Sequence, residues 1–203
     1  MRKLTVDDIL DGRAYERERD ELRKSIIALK RRRRVKLGDL VTVVFENTET
    51  MRWQVMEMAR AERMLLDEQI AHEVATYNEL VPDEGELSAT LFLELRSDAE
   101  LREWLGKLVG IERCVALVLA DGTTISGEPL DEERLTRDDV TAAVHFLRFR
   151  LGSAAAVIAA DPVRLVVTHP EYSAETVLDA DQHAELVADL AAPGARDRGR
   201  GAS

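Results

Sequence analysis

The sequence has few of the residues that carry ready-made chemistry. It holds one cysteine, Cys114, in 203 residues. A lone cysteine excludes an intramolecular disulfide framework and leaves no cysteine cluster for an iron–sulfur centre. Cys114 lies in the apolar run "CVALVLA", which suits a buried, inert thiol. No apolar stretch approaches the ~20 residues of a membrane helix, and the N-terminal "MRKLTVDDIL" lacks the apolar centre of a signal peptide. A cytoplasmic protein is therefore expected. HExxH, CxxC and GxSxG motifs are missing, as is a glycine-rich phosphate loop after a strand. The two tryptophans, Trp53 and Trp104, are not interleaved with basic residues as a stacking platform for single-stranded nucleic acid would require.

Charge is abundant and uneven. The formal net charge is −11. Residues 1–36 hold 13 Lys/Arg against 7 Asp/Glu, which leaves −17 for the remainder. Six basic residues crowd into seven positions: Lys30, Arg31, Arg32, Arg33, Arg34 and Lys36. An overall field this negative opposes nonspecific nucleic-acid binding. A local basic patch can still hold one phosphate or carboxylate.

Hydrophobic periodicity divides the chain into mixed elements. Thr5 and Asp8 mark a helix start. A charged helix is expected from about Arg13 to Leu29, on the helical spacing of Tyr15, Leu22, Ile26 and Leu29. A hairpin follows, with Arg31–Leu37 as first arm, a Gly38-Asp39 turn and "LVTVVFE" as second arm. Helices are expected from Met51 to about Leu66 with Thr48 as cap, from Asp67 to Pro82, and after Ser97. "GELSATLFLEL", "RCVALVLADGTTISGE", "AAVHFLRFRL" and "VRLVVTH" read as strands and a hairpin, and Tyr172–Leu190 as a final helix. The absence of a regular βαβ rhythm predicts an α+β fold with a mostly antiparallel sheet built from hairpins and several packed helices. Residues 1–192 are expected to form one domain and 193–203 a disordered tail.

The basic run poses the functional question. In an extended arm, Arg31, Arg33, Val35 and Leu37 share a face. The two apolar residues direct that face to the core, and arginines aimed inward need anionic partners. The next helix offers them. Glu62 falls within the apolar arc Met51, Val55, Met58 and Leu65, beside a polar stripe of Thr50, Gln54 and Glu57. Glu62 is accordingly expected to be buried and paired with an arginine of the 31–34 run. Two readings stay open. One is a structural ion-pair network. The other is a pocket in which Arg31, Arg33 and Arg60, with Thr50 and Gln54, bind an anion while Glu57 or Glu62 handles protons. Arg32, Arg34 and Lys36 on the other face are the candidates for a polyanion.

The histidines give no metal site. Glu68 and His72 sit four residues apart, a spacing that surface chance explains. His145 lies on the Leu147/Phe149 face as a core histidine. His169 closes a strand in "THPEY" as a turn cap. Whether the chain binds a cofactor is unknown from the sequence.

The stretches "LTVDDIL", "IIALKRRRRVKLGDLVTVVFENTETMRWQVMEMARAER", "YNELVPDEGELSATLFLEL", "LVGIERCVALVL", "VHFLRF" and "HPEY" resemble the bacterial domain-of-unknown-function family 3501. The resemblance implies no assigned activity. It implies a setting beside rubrerythrin and iron–sulfur proteins, in oxidative-stress or iron-linked redox physiology. Together the two lines of reasoning give an accessory or binding protein that holds a small anion or a redox protein partner near the Arg/Glu constellation. The alternative is an enzyme using Glu57 or Glu62 as general acid/base, with arginines orienting an anionic substrate.

Overall fold

The computed structural model of the chain describes residues 1–130, 139–160 and 162–191; the expected tail lies outside these. A 3-10 turn at Val6–Asp8 precedes α1 (Gly12–Arg32), which is capped by the Asp11 carboxylate accepting from the Arg13 and Ala14 amides. The helix runs three residues beyond its expected end and takes up Lys30, Arg31 and Arg32. Lysine and arginine are good helix formers, and positive charge in a last turn is favoured by the helix dipole. Arg31 is therefore helical and exposed rather than inward on a strand. The chain turns at Arg33, and β-branched Val35 lies within strand β1 (Arg34–Leu37).

Gly38, at φ +65°, turns β1 into β2 (Val41–Glu46), which is buried along its whole length. Helices α2 (Thr48–Ala61) and α3 (Asp67–Asn78) follow. Asn47, not Thr48, caps α2, through a bond from the Thr50 amide to its side chain. The helix stops well before Leu66, where Glu62 ends it and Arg63 adopts φ +53°. Then come β3 (Glu86–Leu93), α4 (Asp98–Lys107), capped by Ser97, and the hairpin β4 (Val115–Val118) and β5 (Thr124–Leu130). Strand β6 (Val144–Arg150), helix α5 (Ala155–Ala160), strand β7 (Arg164–His169), strand β8 (Tyr172–Val177) and helix α6 (Ala180–Ala191) complete the described chain. The segment expected as one final helix is therefore a strand and a helix. Tyr172 pairs directly with His169 across a two-residue turn at Pro170-Glu171, and β8 alternates between half-buried and exposed residues.

All strand pairings are antiparallel, in the order β1-β2-β3-β6-β5-β4-β7-β8. The sheet curls until its two edge strands meet, so the fold is α+β with a nearly closed barrel. Side chains rather than a ladder join the seam. The Thr176 hydroxyl donates to the Lys36 carbonyl at 2.6 Å, and the Tyr172 hydroxyl donates to the Leu37 carbonyl. Alternate residues of every strand except β8 fill the interior, among them Val35, Val43, Leu91, Leu117, Leu147, Phe149 and Leu165. Ile111, Ile158 and Leu186, from a 3-10 turn, α5 and α6, join the same core. A second, smaller core of Met1, Leu4, Met51, Val55, Val74, Leu80 and Val81 lies where α2, α3 and the N-terminus pack on the sheet.

His145 and His169 take the core and turn positions expected of them, whereas Cys114 is less buried than expected. His145 is buried, with Nε2 at 2.8 Å from the Ala142 carbonyl. His169 donates from Nε2 to the Val109 carbonyl at 3.0 Å, and its Nδ1 accepts from the Glu171 amide. Glu68 and His72 are exposed, and no group of potential metal ligands occurs among the described residues. Cys114 is half-buried, and burial pushes its thiol up. No helix among the described residues is long and apolar enough to cross a membrane.

The seam can be tested at Gly38. A Cβ there would collide with the Tyr172 hydroxyl, and φ +65° disfavours any other residue. Gly38→Ala should lower the unfolding free energy by about 1–3 kcal/mol. Combining it with Tyr172→Phe, which removes the obstructing oxygen, should add less than the sum of the single effects in chemical denaturation.

Candidate functional site

The basic run is divided by Arg33. Its side chain is 0% exposed, and all five guanidinium protons have acceptors. Nε donates to the Phe45 carbonyl at 2.8 Å, and Nη2 donates to the Glu46 carbonyl at 3.3 Å. Nη1 donates to Glu185 at 3.0 Å and to Asp189 at 3.3 Å, and Nη2 also donates to Asp189. The inward arginine predicted from strand periodicity is therefore present, but its carboxylates come from α6 and not from Glu62. Glu62 is exposed at the C-terminal end of α2 and makes no ion pair among the described residues. The apolar arc that was to bury it breaks down because the helix ends there and Leu65 is 88% exposed. Burial raises the Asp189 carboxyl, and the Arg33 charge opposes that rise.

Arg32 pairs with Glu185 at 2.7 Å, and Lys30, Arg31, Arg34 and Lys36 open onto a groove of about 890 Å³ between α1, β1 and the start of α6. Arg19, Arg23, Lys30 and Arg31 enter from α1, and Arg34 and Lys36 from β1. Ile26, Ile27, Trp53 and Val177 supply apolar wall. Asp179 and Gln182 stand at the far side. They cap α6 reciprocally, and Gln182 Nε2 donates to the Arg34 carbonyl at 2.7 Å, which ties the helix start to β1.

Two of the six cations have partners. Arg34 lies 3.2 Å from Glu94 and over the Phe92 ring. Arg19 forms a two-pronged pair with Glu57, at 2.8 and 2.9 Å. Among the described residues, Arg23, Lys30, Arg31 and Lys36 have no carboxylate within 4.0 Å.

Glu57 forms part of the wall as a constrained group. Besides the Arg19 fork, its Oε1 accepts from the hydroxyl of buried Tyr15. The Arg19 hydrogen bonds outweigh burial and lower its pKa to about 2, while burial and the neighbouring carboxylate raise the Tyr15 phenol. Such a carboxylate stays ionised near neutrality, so it serves as an anchor and is a poor proton acceptor. Tyr15 also meets Trp53 edge to face, with ring centroids 5.9 Å apart.

Of the residues singled out from the sequence, Arg31 and Glu57 come together in the groove. Arg33 lies behind it, buried. Thr50 is fully buried in the first turn of α2, its hydroxyl accepting from the Asn47 amide. Gln54 is half-buried, outside the groove. Arg60 is exposed and paired with Glu16 at 2.6 Å, in a different hollow. Arg19 and Arg23 were not foreseen. Their signal was the stripe Arg19, Arg23, Ile27, Lys30, Arg31 at steps of four, four, three and one, visible once α1 is carried through Arg32.

The Glu57 anchor has a pH signature. A depressed carboxylate pKa contributes stability that is complete above its unfolded value and is lost as pH falls. Glu57→Gln should be less stable than wild type by about 1–2 kcal/mol at pH 7. Its deficit should shrink as pH falls from about 5 towards 2, as thermal melts across that range would register.

The chain matches the family model described as a protein of unknown function, DUF3501, over residues 3–190. A crystal structure of a protein of unknown function from Burkholderia pseudomallei K96243 is similar to it. That protein shares 35% identity, with 93% of this chain and 99% of that chain covered and a TM-score of 0.86. No curated protein matches. With nearly its whole length matched by one family model and a relative of the same fold at 35% identity, the chain belongs to the DUF3501 family.

Proposed function

We propose that this protein is a cytoplasmic accessory or binding protein whose basic groove holds a small anion. The observation that carries this reading is the set of four cations, Arg23, Lys30, Arg31 and Lys36, that converge on one groove without carboxylate partners among the described residues. In a chain of net charge −11, acidic partners are abundant, and Arg19, Arg32, Arg33, Arg34 and Arg60 all find them. Like charges held together without compensation repel one another, and an anion relieves that repulsion.

Binding is favoured over catalysis because the groove's best-held carboxylate, Glu57, has both oxygens engaged and titrates far below neutrality. The setting in oxidative-stress or iron-linked redox physiology comes from the family resemblance. In it the protein would act as a companion to a redox partner.

Inorganic pyrophosphate is a suitable probe. Arg31→Glu with Lys36→Glu should weaken its binding at least about tenfold in calorimetry. Raising the salt from about 25 to 150 mM should weaken wild-type binding. The double variant should keep the wild-type melting temperature to within a few degrees, because neither side chain forms an ion pair that holds the fold. Unchanged pyrophosphate affinity in the variant would remove the groove from consideration.

A further inference from the structure

We propose that the anion is an organic di- or triphosphate bearing an aromatic ring, a ligand of the nucleotide class, with its phosphates on the cations and its ring on the apolar wall. This rests on the groove being an anion site and specifies what fills it.

Charge density points to polyphosphate. Arg23 and Lys30 are seven residues apart on α1, about 10 Å along its axis. Arg34 and Lys36 lie on one face of β1, about 7 Å apart. A single carboxylate or monophosphate would neutralise one end of this array. A di- or triphosphate concentrates two to four charges in a chain long enough to meet cations from both elements, and arginine suits such oxygens through paired N–H donors.

The wall points to a ring. Four large apolar side chains are exposed among the described residues, and two of them, Ile27 at 59% and Val177 at 56%, line this groove. Partly exposed Trp53 joins them, its ring braced by Tyr15. An inorganic anion would leave these surfaces in water. A planar aromatic group covers them and gains both apolar burial and stacking. The groove's volume of about 890 Å³ lies within the range of small-molecule sites. A nucleic-acid strand is disfavoured because it extends beyond the groove into the field of a chain of net charge −11.

The test uses the full chain with Trp104→Phe, so that Trp53 is the sole tryptophan. Its fluorescence is titrated with ADP, GDP, CDP, UDP, coenzyme A, inorganic pyrophosphate, adenosine and a dT20 oligonucleotide, with calorimetry in parallel. At least one of the five ring-bearing diphosphates should bind with Kd below about 100 µM, at least tenfold tighter than pyrophosphate. Adenosine alone should bind more weakly than that ligand. Exposed Ile27→Ser should weaken that ligand at least fivefold and leave pyrophosphate unchanged, whereas Arg31→Glu should weaken both. If pyrophosphate binds and no ring-bearing diphosphate exceeds it, the inference fails and the anion site stands. If neither binds, both fail. If dT20 binds tightest, the groove is a nucleic-acid surface and the inference is wrong.

Discussion

A guanidinium with no access to water requires full compensation, and the surroundings of Arg33 are arranged to provide it. The residue stands where α1 ends and β1 begins. Its five donors reach two carbonyls of β2's C-terminal end and two carboxylates of α6. One side chain thereby joins the first helix, the first hairpin and the last helix of the described chain. Leaving any of these charges unpaired in the interior would cost several kcal/mol. The arrangement therefore specifies where α6 docks as much as it stabilises the docked state. Asp189, raised by burial and held down by Arg33, carries the same constraint from the other side.

The groove follows from this junction. With Arg33 turned inward, Lys30 and Arg31 complete the outer stripe of α1, while Arg34 and Lys36 emerge from β1 at an angle to it. The same docking brings Asp179 and Gln182 to the groove's far edge and fastens them to the Arg34 carbonyl. The barrel seam closes beneath, through Thr176 and Tyr172. Glu57 and Tyr15 restrain Arg19 at one end, so the free cations are concentrated towards β1.

Much of this was legible where local chemistry dominates. The Gly38 hairpin, the Ser97 cap, the alternating core face of β3 and the turn role of His169 all follow from residue type and spacing. The inward aim of Arg33 followed from its period-two relation to Val35 and Leu37. Its partners did not, because Glu185 and Asp189 lie about 150 positions away in sequence and only the curling of the sheet brings α6 to them. Glu62 was misplaced because helical periodicity was extended past the point where α2 ends. Tyr172–Val177 was misread because a strand that alternates between half-buried and exposed residues carries little apolar signal, and pairing with β7 decided the matter. The Arg19–Arg23 side of the groove was missed because the basic residues from Arg31 onward were assigned to a strand, although arginine and lysine favour the end of a helix.

The central claim is that Arg33 and the acidic face of α6 act as one unit. A double-mutant cycle on Arg33→Ala and Asp189→Ala, read by chemical denaturation, measures it directly. Each single variant should lose about 3–5 kcal/mol. The double variant should lose little more than either alone, giving a coupling energy of at least about 2 kcal/mol. Additive losses, with a coupling energy near zero, would contradict the account.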